Sequence, residues 1–251
     1  MSDKPFFVGY LPAPGPLRVF LLAISVTLVA GLAAAGYLIG ATQDDPGPAA
    51  FRFDYGRQTV KGIVEMTPYP VLHVTEGNDR IKPGDSFLMT AGSKAGVDSR
   101  AEPLIGKLVE VSGVILERGD LYMMQLRGGK NGLKPAEGDA QEIIPEPQGR
   151  WKLAGEICDG KCLAGAMRPG RGLAHKACAN LCLLGDVPPI FVSSQPILGE
   201  EFLLITGPDG TRLPEAAYDY VAQFVSVEGE VTKHGDLLVF AIDTDTLELT
   251  P

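Results

Sequence analysis

The chain has 251 residues, 22 of them Lys or Arg and 31 Asp or Glu, and a formal net charge of −9 at pH 7. This acidic balance excludes a nucleic-acid-binding protein, because binding to phosphates depends on Lys and Arg, and 45% hydrophobic residues exclude a disordered chain. Frequent Gly and Pro with only 7% aromatic residues favour short strands and turns over a helical bundle.

Residues 19–41 form an uncharged apolar run, VFLLAISVTLVAGLAAAGYLIGA. As a helix, with a rise of about 1.5 Å per residue, this run crosses a hydrocarbon core of about 30 Å. The alternative is a cleavable signal peptide, but the run exceeds the roughly 7–15 residues of a signal core and follows a Pro-rich segment. We therefore predict an uncleaved transmembrane helix at 19–41, between an N-terminal segment at 1–18 and a linker at 42–50.

Charges on either side of the span predict its orientation. Lys4 and Arg18 precede the span, and Asp44 and Asp45 follow it. Because positive residues favour the cytoplasmic side, residues 1–18 are expected in the cytoplasm and the bulk of the chain outside it. In a bacterium this makes the protein a single-pass inner-membrane protein with a periplasmic body.

Small residues form a pattern along one face of the span. They recur at every fourth position and then form a G-xxx-G pair: Ala23, Thr27, Gly31, Ala35, Gly36 and Gly40. Such a face lets another helix approach closely inside lipid, which predicts packing against other transmembrane subunits. The same residues are also those that an Ala- and Gly-rich anchor contains without any partner.

Four blocks of sequence recur in the same order in the two halves of the remaining chain. They pair residues 60–64 with 153–157, 69–74 with 188–193, 86–92 with 201–207 (Phe87 against Phe202), and 108–121 with 224–237. Each block is typical of a strand, and in the last one apolar residues alternate with polar ones before a Gly and a Gly-Asp turn, as in the first strands of small OB-fold barrels. We predict a mainly β protein with two tandem OB-like barrels, at 51–148 and 149–251, with a linker at 145–149. A single β-sandwich built from both halves is the alternative.

The second repeat contains an insertion that the first lacks. Gly155 and Pro189 are 26 residues further apart than the matching Gly62 and Pro70, which places the insertion at 158–184. All four cysteines of the chain and His175 lie in it. This concentration predicts that the insertion carries whatever chemistry the protein has.

The spacing within the insertion predicts a helix and allows a metal site. Residues 173–184 lack Gly and Pro, and as a helix they place His175, Cys178 and Cys182 on one face. With Cys162 they form a candidate site for Zn or Cu, or for haem without covalent attachment because no C-x-x-C-H occurs. His175 and Cys182 would lie about 10 Å apart along the helix axis, so one tetrahedral ion would not easily bind both.

Structural disulfides are the favoured interpretation of these four cysteines, ahead of metal binding. Thiols outside the cytoplasm persist as disulfides, and closing such a loop stabilises a fold by about 2–4 kcal/mol. The candidates are Cys158, Cys162, Cys178 and Cys182, in any of three connectivities. A reactive thiol, as in a thiol-disulfide oxidoreductase, is the third interpretation.

Elsewhere the chain offers no catalytic constellation. His234 lies in a Lys-His-Gly turn, aligned with Arg118 of the first repeat, and is expected to face solvent. No phosphate-binding loop, dinucleotide fingerprint or nucleophile elbow is present. The sequence therefore favours a protein that is not an enzyme.

The insertion resembles a pattern in uncharacterised bacterial exported or membrane-anchored proteins, G-x-(V/I)-x-D-x-x-C…H-x-x-C-x-x-x-C. Gly155, Cys162, His175, Cys178 and Cys182 match it, and Cys158 is an extra cysteine. The anchor followed by an OB barrel is also similar to the haem chaperone of cytochrome c maturation. That likeness is architectural only, because the His-Tyr signature of the family has no match here.

Together these features predict a periplasmic accessory subunit that docks through its helix in a membrane complex of the respiratory or electron-transfer kind. A metal- or haem-handling assembly factor that uses the insertion is the first alternative. A thiol-disulfide oxidoreductase is the second.

Overall fold

The computed structural model describes residues 14–42 and 47–250. They divide into two units, an N-terminal helix and a body that begins at Pro46. Two stretches lie outside the described residues: positions 1–13 of the predicted cytoplasmic segment and positions 43–46 of the predicted linker.

The helix of the first unit, α1 (Gly15–Thr42), confirms the predicted apolar span and extends it at its N-terminal end. Residues 15–41 contain an 18-residue stretch with a mean hydropathy of 2.3, and the helix is long and apolar enough to cross a membrane. The Thr27 hydroxyl donates to the Ala23 carbonyl 2.9 Å away, so this polar group is satisfied within the helix. The face of small residues is therefore free of unsatisfied hydroxyl groups along that turn.

The body consists of two closed five-stranded barrels, which confirms the predicted OB-like fold class. The first barrel is formed by β2 (Gln58–Met66), β3 (Pro70–Glu76), β4 (Ser86–Thr90), β5 (Leu108–Arg118) and β6 (Leu121–Leu126). Pairing of β5 with both β2 and β6 closes the ring, and β4 runs parallel to β6. Two short strands, β1 (Ala50–Phe51) and β7 (Leu133–Pro135), pair with β5, and a short helix, α2 (Asp98–Ala101), follows β4.

The second barrel repeats this order. It is formed by β8 (Glu146–Asp159), β9 (Pro189–Ile197), β10 (Glu200–Thr206), β11 (Phe224–His234) and β12 (Leu237–Leu249), with helix α3 (Lys176–Leu183) between β8 and β9. Here β10 runs parallel to β12, as β4 does to β6. Two separate rings rule out the single β-sandwich. The predicted linker at 145–149 belongs largely to β8, whose first residues pair with β11.

Strand registers confirm three of the four repeated blocks and correct the fourth by one residue. Leu88 pairs with Met123 in the first barrel and Leu204 pairs with Val239 in the second, so these positions are equivalent. The predicted match of Phe87 with Phe202 is therefore wrong. Phe87 lies in the core of the first barrel, whereas Phe202 lies at the contact between the barrels.

A shared apolar cluster joins the two barrels through corresponding outer faces. Leu88 and Met123 contribute from the first barrel, and Leu204 and Val239 from the second. Each barrel also encloses its own apolar core. Since burial stabilises by about 25 cal/mol per Å² of apolar surface, this shared cluster holds the barrels as one body.

A buried polar chain crosses the same contact. Glu65 of β2 accepts hydrogen bonds from His73 Nε2 and from His234 Nδ1 of the other barrel, both at 2.7 Å. His73 Nδ1 lies 2.9 Å from the Ser86 hydroxyl. The expectation that His234 faces solvent is wrong. Its ring is buried at the contact between the barrels, where its hydrogen bond to Glu65 satisfies it. Burial alone would raise the pKa of Glu65, but the hydrogen bonds from His234 and His73 outweigh it and lower that pKa to about 2.

Replacing Glu65 by Gln is expected to destabilise the body by about 1–3 kcal/mol at pH 7, because a charged acceptor shared by two buried rings is lost. The folded pKa of Glu65, about 2, lies below the unfolded value of about 4.3. The stabilisation by Glu65 is therefore present above pH 4.3 and is lost as the pH falls towards 2, where mutant and wild type converge. Urea unfolding in detergent, followed by the fluorescence of Trp151, measures the difference.

The matched control is Glu76→Gln, because the Glu76 carboxylate makes only an exposed ion pair with Lys61. It should change the free energy of unfolding by no more than about 0.5 kcal/mol. If Glu65→Gln is as stable as the wild type at pH 7, the polar chain does not join the barrels.

Candidate functional site

The insertion leaves the second barrel at the end of β8 and is tied back to it by one carboxylate. Asp159, the last residue of β8, is fully buried. Its Oδ1 accepts the Cys162 backbone N–H at 2.9 Å, and its Oδ2 accepts His175 Nε2 at 2.9 Å. Asp159 therefore fixes both arms of the insertion, a π-helical turn over residues 162–166 and the start of α3.

Three cysteine sulfurs from these two arms converge. The Sγ atoms of Cys162, Cys178 and Cys182 lie within 4.8 Å of one another, and those of Cys162 and Cys182 are 3.9 Å apart. The Cys178 thiol also contacts the thioether sulfur of Met167 at 3.2 Å. We call these four residues the sulfur cluster. Cys162 and Cys182 are buried, whereas Cys178 and Met167 form its accessible edge.

The first barrel supplies a cation to the sulfur cluster. Lys94, in the loop between β4 and α2, donates from Nζ to Cys178 Sγ at 2.7 Å and to Cys182 Sγ at 3.4 Å. The hydrogen bond to Cys178 raises the pKa of Lys94, so this ammonium stays charged beside the sulfurs. An adjacent cation favours thiolate, which is the form of cysteine that binds metals.

A second lysine holds that loop in place. Lys161 is buried, and its Nζ donates to the carbonyl oxygens of Ala91 and Ser93, at 2.6 Å each. The Gly96 N–H also donates to the Gly185 carbonyl at 2.7 Å. The loop of the first barrel is thus attached to the insertion of the second at both of its ends.

The buried cysteine pair loses its first proton from Cys182. The hydrogen bond from Cys162 lowers the pKa of Cys182 to about 7, and Lys94 acts in the same direction. The same hydrogen bond, together with burial and the charge of Asp159, raises the pKa of Cys162. As the pH rises through about 7, the pair therefore loses one proton, and Cys162 keeps the other.

The four predicted metal ligands do not form one group in the structure. Cys162, Cys178 and Cys182 come together as expected, but His175 instead lies with Asp159 and Cys162. His175 lies in a 3-10 turn immediately before α3, and its ring is hydrogen-bonded to Asp159 rather than directed at Cys178 and Cys182. Met167 and Lys94 were missed. The position of Met167 in the sequence has no regular spacing to the cysteines. Lys94 belongs to the other repeat, so only the packing of the two barrels brings it to the cysteines.

The predicted disulfides are not formed, since all four cysteines are free. Cys158 lies apart from the other three in the apolar cluster between the barrels, and its thiol donates to Glu156 at 3.1 Å. Burial raises the pKa of Cys158 well above its ordinary value. Cys158 is therefore a core residue, whereas the other three cysteines form the candidate site.

Comparison of the chain with protein-family models, with curated proteins and with solved structures gave no match. The resemblance of the insertion to exported bacterial proteins therefore stays a prediction. The candidate site rests on its geometry alone.

Alkylation of the native protein is expected to modify Cys178 first, because its side chain is partly exposed while those of Cys158, Cys162 and Cys182 are buried. Iodoacetamide treatment under reducing conditions without thiols, followed by peptide mass spectrometry, gives the order of modification. The denatured chain, in which all four cysteines react, is the control. Early labelling of Cys158 would contradict the assignment of that residue to the core.

Proposed function

We propose that the protein is a membrane-anchored, non-enzymatic binding protein for a thiophilic metal ion, which it holds at the sulfur cluster. The observation that carries this proposal is the convergence of three cysteine sulfurs beside a thioether and an ammonium group. The function that fits is metal handling, either delivery or sequestration at a membrane surface.

The separation of the sulfurs favours a metal ion over a disulfide. Zn–S bonds of about 2.3 Å in a tetrahedron place two sulfurs about 3.8 Å apart. The distance between the Cys162 and Cys182 sulfurs is 3.9 Å. A disulfide requires about 2.05 Å, so its formation would need the two arms of the insertion to move together.

The donor set indicates which ions fit. Three thiolates and a thioether are soft ligands, which select Cu(I) or Zn²⁺ over Mg²⁺ or Ca²⁺. The two lysines beside the cluster offset part of the negative charge of three thiolates and Asp159. One divalent ion offsets the remainder, so the occupied site is close to neutral. Haem fits less well, because the cluster lies between packed elements and His175 is bound to Asp159.

The transmembrane helix determines where in the cell the protein would bind metal. With the predicted orientation, α1 keeps the body on the periplasmic side of the inner membrane. A thiol-disulfide oxidoreductase is a weaker candidate, because Cys162 and Cys182 are both buried and out of reach of a protein disulfide.

Loss of a cysteine of the cluster is expected to weaken metal binding at least about 100-fold, since even partners of ligands contribute 10–100-fold. The variants are Cys162→Ser, Cys178→Ser and Cys182→Ser, and the matched control is Cys158→Ala, which should bind as the wild type does. Competition against a chromophoric chelator with Zn²⁺ and with Cu(I), under anaerobic conditions, measures the affinities. A wild-type protein that binds neither ion, or a Cys158→Ala variant that alone loses binding, would contradict the proposal.

Docking of the helix in a larger membrane complex is a second proposal, favoured by the face of small residues on α1. We expect Gly31→Leu, which fills the centre of that face, to reduce co-purification with other membrane subunits in a mild detergent. Leu32→Ala, which lies about 100° around the helix from Gly31 and makes the span smaller rather than larger, serves as control. Recovery of the wild type as a monomer free of other subunits would refute docking and leave the metal proposal intact.

A further inference from the structure

A second group of ligand atoms adjoins the sulfur cluster. Asp159, Cys162 and His175 place a carboxylate oxygen, a sulfur and an imidazole nitrogen within 4.8 Å of one another. They come from the end of β8, the π-helical turn and the 3-10 turn before α3. The side chains of Asp159 and His175 are at most 2% exposed, so this group lies deeper than the accessible edge of the sulfur cluster.

We propose that this inner group binds a second metal ion and that the Cys162 sulfur bridges it to the ion in the sulfur cluster. The inference rests on the proposed function, because it needs a first ion at the cluster. Cys162 belongs to both groups of ligand atoms, and a thiolate has more than one lone pair to donate. The site then has two positions, an outer one with sulfur ligands and an inner one with mixed ligands.

The chemistry of the inner position suits Zn²⁺ and its spectroscopic substitute Co²⁺. Oxygen, nitrogen and sulfur donors together make a ligand set of intermediate softness. Bonds of about 2.0–2.1 Å in a tetrahedron place oxygen and nitrogen about 3.3–3.4 Å apart. His175 Nε2 and Asp159 Oδ2 are 2.9 Å apart, so an ion needs to open their hydrogen bond by only about 0.4 Å.

The difference in solvent exposure between the two positions predicts the order in which they bind ions. The outer position meets solvent through Met167, which is 43% exposed, and through the partly exposed Cys178. The inner position has no such edge among the described residues, since its three residues are buried. Ions therefore fill the outer position first and reach the inner one past Cys162.

The test uses the full chain in detergent, titrated with Co²⁺ or Zn²⁺ and followed by native mass spectrometry. The wild type is expected to bind two ions per chain. The first equivalent of Co²⁺ should develop most of the thiolate-to-metal charge-transfer absorption, because it takes three sulfurs. His175→Ala and Asp159→Asn should bind one ion and keep that absorption.

His234→Ala is the matched control, because His234 is also a buried histidine bound to a carboxylate, at the contact between the barrels. It should bind two ions. A wild type that saturates at one ion would overturn the second position and leave the proposed function standing, as would a His175→Ala variant that still holds two. A wild type that binds none would overturn the proposed function itself.

Discussion

Apolar packing between the two barrels is the interaction on which the rest of the body depends. It brings the loop after β4 against the insertion, where Lys161 and Lys94 make their contacts. It also buries the hydrogen bonds that join Glu65 to a histidine of each barrel. Without this packing the sulfur cluster would lose its cation, and His234 would lose its acceptor in the first barrel.

The two halves differ in chemistry at equivalent positions of this contact. Strand pairing makes Glu65 equivalent to Cys158, and Ser86 equivalent to Phe202. One copy therefore contributes a polar chain to the contact, and the other contributes an apolar surface with a thiol. Charged hydrogen bonds fix the geometry of one side, whereas close packing stabilises the other.

The sequence predicted the anchor, the duplication and the insertion, because each leaves a local signal: a long apolar run, a repeat or a cluster of one residue type. It could not predict what tertiary contacts decide. The alignment of the two repeats that matched Phe87 with Phe202 was wrong by one residue, and only the pairing of the strands reveals this. His175 fits a helical face by spacing, but the buried carboxylate of Asp159 draws its ring elsewhere. The predicted periplasmic location favoured disulfides, because the sequence carries no information on the distances between the sulfurs.

The contacts of Lys161 bear on how such a protein arose. Its ammonium group is buried, and its acceptors are two backbone carbonyls of the other barrel. An ancestor with one barrel and this insertion would have left that charge without those acceptors, at a cost of several kcal/mol. Those acceptors exist only where the first barrel packs against the second, so the excursion between β8 and β9 took its present form in a chain that already had both barrels.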